Sequence, residues 1–335
     1  MANETIERRY LPNLDFFRVI AAYFVMLYHF SWEGDDAFST VFSYGYLGVY
    51  VFFCISGFIT PLSMQWSGYK MKSWKSFLVN RFFRLYPAFA VIALIEILLY
   101  ARGGFMGYGY KLDELTVRQL ICNFMWTAEF YEERWIIPVF WTLAIEAQFI
   151  ILMLIVYPLM KLSNKIKKEL PSMINELLRM LPVLIFIGAS YFTGRGNTVF
   201  SYGAIFGMGT LVYLYYAQQI SIPSLLGGLA FAAWANYYGI SDRQTYVALP
   251  VALCIAFLPD INSRIIKYFG KFTYSFYLIH ITFGGAACFH MRHFPEVWYV
   301  QLVKVVIGGA VAFAFSWVFY YKIEKPLHSF SRKFK

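Results

Sequence analysis

Charge is scarce in this chain. Asp, Glu, Lys and Arg make up 14% of its 335 residues, against about 25% in an ordinary soluble domain, and the shortage excludes a water-soluble globular fold. The strict apolar–polar alternation of a transmembrane barrel strand is missing too, because Phe16 to Phe30, Leu47 to Met64 and Val139 to Met160 are continuous apolar runs. Cysteine is limited to Cys54, Cys122, Cys254 and Cys288, each alone in or beside an apolar segment. That spacing suits neither a metal site nor a disulfide framework, and they read as packing residues. No small-residue cleavage site follows the first apolar stretch, and Asp15 and Arg18 interrupt it. It is therefore read as an uncleaved first helix rather than a signal peptide.

Apolar side chains are abundant, at 59% hydrophobic and 21% aromatic with a mean hydropathy of +0.53. At roughly 20 residues per span they fill about ten crossings and leave no room for a large soluble domain. The sequence predicts an all-α integral membrane protein, a single transmembrane domain over 1–335. Its helices are expected near 14–32, 44–64, 85–100, 138–160, 181–194, 198–217, 222–238, 244–258, 272–291 and 297–321.

The net charge of +10 does not point to nucleic acid, because its distribution marks membrane orientation. With the N-terminus inside, twenty of the 29 Lys and Arg fall on inner segments. These are Arg8 and Arg9, the group from Lys70 to Arg84, the group from Lys161 to Arg179, Arg264 with Lys267 and Lys271, and the C-terminal tail from Lys322. Arg102, Lys111, Arg118, Arg134, Arg195, Arg243 and Arg292 fall outside. Cytoplasmic loops carry the basic excess, so both termini are placed in the cytoplasm. Acidic residues gather on the other side, at Glu33, Asp35 and Asp36 and at Asp113, Glu114, Glu129, Glu132 and Glu133. The loop near 101–137 holds an amphipathic stretch from Leu115 to Phe130, expected along the outer interface either as a solvated lid or as a substrate contact.

Ionisable side chains within a span are costly and mark functional candidates. Arg18 and His29 are eleven residues apart, about 1100° or three turns plus 20°, and Asp15 lies about 60° from Arg18. All three share one stripe of the first helix, with His29 roughly 16 Å further along it than Arg18. An Arg fixing an anionic group below a proton-handling His makes a reaction axis; alternatively Arg18 snorkels to inner head groups and His29 to outer water. Arg81 and Arg84 face one side of a helix, preceded by Lys70, Lys72 and Lys75, and can converge on a phosphate or hold anionic lipid. Glu146 lies about two turns into the fourth helix, with His29 as a candidate partner or as the closure of a helix contact. His280, mid-way along the ninth helix, reads as a second polar participant or as a satisfied core histidine.

Other patterns are set aside. His290 and His293 lack a third metal ligand, and no metal is expected. The position five after His29 is Gly34, so a His, four residues, Asp motif is absent. Gly203 and Gly207 have helix-packing spacing. Ser56 has no base adjacent in sequence, and Gly57 is expected to let two helices approach.

Asp15-Phe16-Phe17-Arg18 with His29, then Gly48-Val49-Tyr50-Val51-Phe52-Phe53-Cys54-Ile55-Ser56-Gly57-Phe58, then Arg81-Phe82-Phe83-Arg84-Leu85-Tyr86-Pro87 together resemble the membrane-bound acyltransferase-3 family. Trp141-Thr142-Leu143-Ala144-Ile145-Glu146, Tyr274-Ser275-Phe276-Tyr277-Leu278-Ile279-His280 and Ile323-Glu324-Lys325-Pro326 continue the pattern, so the likeness covers nearly the whole chain. It implies transfer of an acyl group, usually acetyl, from cytoplasmic acyl-CoA to a hydroxyl of a surface or exported carbohydrate, free or lipid-linked, at the bacterial inner membrane. Its two functional signatures map onto Arg18 with His29 and onto Arg81 with Arg84. Tyr50 stands where that family often has Asp, and no extra extracytoplasmic domain is expected after Lys335.

Combined with the residue reading, His29 is expected as general base, Glu146 as the carboxylate that orients it, and Arg18 and Asp15 beside them. Arg81, Arg84 and Lys75 are expected to hold the donor's phosphates, and His280, Tyr277 and Trp141 to line the acceptor site. An acyl-histidine intermediate stays open. The alternatives are an acyltransferase for a small molecule or lipid and, in another class, a proton-coupled transporter or flippase.

Overall fold

A computed structural model describes residues 8–32, 36–101, 115–162, 171–194, 196–295 and 297–331, and among them every regular element is helical. The helices are α1 (Pro12–Phe30), α2 (Ala37–Ser43), α3 (Gly48–Trp66), α4 (Trp74–Ala101), α5 (Val117–Phe124), α6 (Phe140–Leu162), α7 (Ser172–Thr193) and α8 (Gly203–Tyr216). They continue as α9 (Ile222–Gly239), α10 (Asp242–Phe257), α11 (Arg264–Gly270), α12 (Thr273–Ile279), α13 (Ala286–His290), α14 (Trp298–Phe319) and α15 (Lys325–Ser331). Two π-helical segments, His280–Gly285 and Tyr320–Glu324, join α12 to α13 and α14 to α15. Glu33, Gly34, Asp35, Arg102, Lys111, Asp113, Glu114, Lys165, Lys167, Lys168, Arg195, Arg332, Lys333 and Lys335, used in the sequence reading, lie outside the described residues.

Every expected apolar segment coincides with helix. Among the described residues, six helical stretches are long and apolar enough to cross a membrane: Ala37–Trp66, Met71–Ala101, Phe140–Lys161, Ser172–Thr193, Val199–Tyr216 and Trp298–Leu327. The described residues thus form an all-helical structure consistent with an integral membrane protein. The largest departures are two helix starts, since α4 begins at Trp74 rather than 85 and α7 at Ser172 rather than 181. Both added pieces carry polar groups, Lys75, Asn80, Arg81 and Arg84 in one and Asn175, Glu176 and Arg179 in the other. Hydropathy marks such groups as loop, whereas a helix end at a membrane surface keeps its backbone bonded and turns them to water. The short helices α2, α11 and α15 were also absent from the expectation.

The chain divides into two compact units. Unit 1 comprises Met1–Phe17, Val49–Phe77 and Ile145–Ser263. Its core is the crossing of α3 with α8, two helices buried over most of their length. Glycine makes the crossing possible: a Cβ on Gly57 would run into the carbonyl of Phe206, and one on Gly209 into that of Cys54. Gly203 and Gly207 admit α7 at Phe186 and Ile187 in the same way. Without a hydrophobic drive between helices in lipid, such close backbone approach supplies the packing. Gly57→Ala and Gly209→Ala are each expected to cost about 1–3 kcal/mol, read as a lower melting temperature in detergent. Gly227→Ala, with open space around it, is expected to be neutral or better, and equal melting of all three would refute the close crossing.

The start of α1 is fixed within unit 1 by Asn13, whose Nδ2 donates to the Leu258 carbonyl at 3.0 Å while its Oδ1 accepts from the Ile261 N–H at 2.9 Å.

Unit 2 comprises Arg18–Gly48, Leu78–Ala144 and Arg264–Lys335. Asp36 caps α2, its Oδ1 accepting from the N–H groups of Ser39 and Phe38 and its Oδ2 from the Trp32 indole. These bonds, the Ser39 N–H first, hold its carboxyl below the usual carboxylate range. The 117–139 segment is tied down by Asn123, whose Nδ2 donates to the Arg134 carbonyl at 2.9 Å while its Oδ1 accepts from the Ile136 N–H at 2.8 Å. Tyr86 and Tyr100 of α4 add bonds to the Phe124 and Ile136 carbonyls. The buried side of α5 is mixed and polar, with Gln119, Cys122 and Asn123, while Val117, Ile121 and Met125 are exposed. The expected amphipathic stretch is thus present, with its apolar face outward.

Candidate active site

Unit 2 brings two histidines together. His29 is in the last turn of α1 and His280 opens the π-helical segment after α12, and their ring centroids are 5.3 Å apart. Sequence separates them by a whole set of helices; the fold makes them neighbours.

The tautomer of His280 follows from its surroundings. Its Nδ1 lies 2.9 Å from the Tyr277 carbonyl and 3.2 Å from that of Phe276. A carbonyl only accepts, so Nδ1 carries the proton and Nε2 bears the lone pair. The residue is 0% exposed, and Nε2 has no hydrogen-bond partner among the described residues. A buried acceptor without a donor is costly and singles this nitrogen out within the cluster. The aromatic rings of Phe30, Phe276 and Tyr277 pack around His280, and Tyr28 packs edge-on against His29.

Polar side chains continue the cluster. The Tyr277 hydroxyl lies 2.8 Å from Thr142 Oγ1; Thr142 donates its own proton to the Val139 carbonyl, so Tyr277 is the donor to Thr142. Trp141 precedes Thr142 in the first turn of α6, partly exposed. Glu96, in the middle of α4 and 2% exposed, accepts from Thr282 Oγ1 at 2.8 Å. Glu324, 3% exposed, accepts from Ser275 Oγ at 2.5 Å and is electrostatically coupled to Arg84.

Arg81 and Arg84 stand 60° apart around α4, Arg81 half-buried and Arg84 exposed. Lys75 is exposed on the same helix, about 180° around from Arg84, so it does not share that guanidinium's face. Arg18 stays on the helix that carries His29, as expected.

Asp15, Lys75 and Glu146 fall in unit 1, the other expected site residues in unit 2. Glu146 accepts from Ser56 Oγ at 3.2 Å, which links two of the motifs read from sequence. Tyr50, which stands where the resembled family often has Asp, stacks on Tyr202 with centroids 6.3 Å apart. Unit 1 also has a recess of about 650 Å³ near Glu176, Arg179, Tyr215 and Gln218, and none of the expected site residues lines it.

Compared with known proteins, residues 11–321 match the acyltransferase domain family that bears the number 3. The chain belongs to the acyltransferase-3 family. This acyltransferase is also 33% identical, over 95 residues, to the peptidoglycan O-acetyltransferase OatA of Listeria monocytogenes. That match covers 27% of the acyltransferase and 14% of the relative, so the chain spans a small part of the curated protein it resembles. No solved structure matches it.

The site of the acyltransferase contains groups that its motifs did not disclose. Glu96 was passed over inside an apolar run, although a lone carboxylate in such a run is itself the signal. Thr282 carries no signal in sequence at all, and Glu324 was quoted within a motif without a partner.

Proposed function

We propose that the protein is an integral-membrane O-acyltransferase that moves an acyl group, acetyl first, from cytoplasmic acyl-CoA to a hydroxyl of a surface or exported carbohydrate. The observation that carries this reading is the adjacent pair of half-buried His29 and enclosed His280, with an acceptor nitrogen that has no donor among the described residues, in a chain of an acyltransferase family. The activity named for the Listeria relative supports an acetyl group and a carbohydrate acceptor. The basic excess on alternate segments supports ten spans with both termini in the cytoplasm of a bacterial inner membrane.

In this reading His29, as neutral imidazole, takes the proton of the acceptor hydroxyl while its oxygen bonds to the thioester carbonyl carbon. The carbon–sulfur bond then breaks, and the proton passes from the imidazolium to the leaving thiolate, giving an ester and free CoA. Arg81 and Arg84 hold the donor's phosphates, with Lys75 a more distant cation, and Arg18 guides the donor along the His29 stripe. His280, Tyr277 and Trp141 contact the acceptor. Glu146 and Asp15, both in family motifs, are carried as further site residues.

The test is purified protein in nanodiscs with acetyl-CoA and a peptidoglycan-derived oligosaccharide, following thiol release and ester formation by mass spectrometry. Thiol release that depends on the oligosaccharide is the expected result. Silence with both acetyl-CoA and succinyl-CoA would remove acyl-CoA as the donor.

A further inference from the structure

The π-helical segment that begins at His280 is gripped from three sides within unit 2. From α4, Glu96 accepts the Thr282 hydroxyl at 2.8 Å. From α1 and α14, the Phe30 ring and the Gly308 carbonyl close on Gly284 so tightly that a Cβ there would collide with both. A π-helical turn inside an α-helix is rare and is frequently found at functional sites.

The Glu96–Thr282 bond is costly to keep. A carboxyl group 2% exposed in an apolar helix destabilises the protein relative to an aliphatic side chain, and the acyl transfer at His29 makes no direct use of it. What the bond does is fix a point two residues beyond His280. That point sets how the wide turn is wound, and the winding sets the direction of the imidazole.

We infer that Glu96 and Thr282 are positioning residues of acyl transfer: their hydrogen bond fixes the register of His280–Gly285 and so holds His280 Nε2 where it accepts from a second hydroxyl of the acceptor, beside the one that His29 deprotonates. This rests on the reading that the transfer takes place at His29.

The experiment compares kcat, donor KM and thermal melting for wild type, Thr282→Val, Thr282→Ser, Glu96→Leu, Glu96→Gln and His280→Gln. Misplacing a reacting group by about 1 Å can cost on the order of 10²-fold. Thr282→Val and Glu96→Leu are therefore expected to lower kcat by about that factor, with donor KM within about twofold. Thr282→Ser keeps the donor and Glu96→Gln keeps an oxygen acceptor, and both are expected to retain most of the activity. Because the clamp acts through His280, Thr282→Val is expected to add no further loss in a His280→Gln background. Thr282→Ala makes the same comparison where valine prevents folding. Fully additive losses, or an unchanged kcat for Thr282→Val, would overturn the clamp. An inactive wild type or a fully active His29→Ala would instead overturn the reading on which it rests.

Discussion

Replacing His29 with Ala is expected to abolish turnover while leaving acyl-CoA binding intact. General-base catalysis by a placed side chain contributes about 10²–10⁴-fold, so kcat should fall by that factor with the donor Kd unchanged. The variant is expected to fold, because His29 is at the end of α1 and half-buried, whereas His280 beside it is wholly enclosed. His29→Gln sharpens the comparison, since it fills much of the imidazole's volume and can hydrogen-bond but cannot take up a proton at neutral pH. Calorimetry for binding and single-turnover thiol release for chemistry separate the two effects. Loss of binding together with turnover would reassign His29 from proton transfer to donor contact, and full activity would remove it from the reaction.

Replacing Arg81 and Arg84 together with Ala is expected to have the opposite signature, with donor affinity lost and the chemistry of any bound donor preserved. Each charge-assisted hydrogen bond to an anion is worth about 1.5–3 kcal/mol. Removal of both guanidiniums should then weaken binding by roughly 10²–10⁴-fold. The paired-Lys variant keeps both charges but not the planar fork, and is expected to bind with intermediate affinity. Wild-type binding should also weaken with added salt, as contacts at a membrane surface are screened. Arg84 has a second expected effect, because its charge acts favourably on the buried carboxylate of Glu324. Adding Glu324→Gln to the double variant is expected to recover melting temperature without recovering binding. If acyl-CoA binds the double variant as tightly as wild type, the phosphate site is elsewhere.

Much of this was legible from sequence because bilayers impose a simple rule on long apolar runs. The approximate positions of the long apolar helices, the small-residue contacts at Gly57, Gly203 and Gly207, and the family motifs could all be read without coordinates. Helix starts were misread where a helix emerges from the apolar zone, as at Lys75 to Arg84 and at Asn175 to Arg179, since hydropathy reports solvent rather than backbone conformation. The histidines were each singled out, but only folding could reveal that they are neighbours, or that the core reading of His280 holds for Nδ1 and fails for Nε2. Ser56 was dismissed for want of a partner nearby in sequence, and its hydrogen-bond partner is Glu146, ninety residues away.

The outward apolar edge of α5 bears on how this enzyme is handled at the bench. Val117, Ile121 and Met125 are more than half exposed, while the hydrogen bonds that order the segment converge on Asn123 behind them. In a bilayer that edge rests on acyl chains; after solubilisation it depends on whatever amphiphile replaces them. Short-chain detergents are therefore expected to release residues 117–131 while the α3–α8 crossing stays intact. Limited proteolysis would then cut first in this segment, and added lipid would slow the cut.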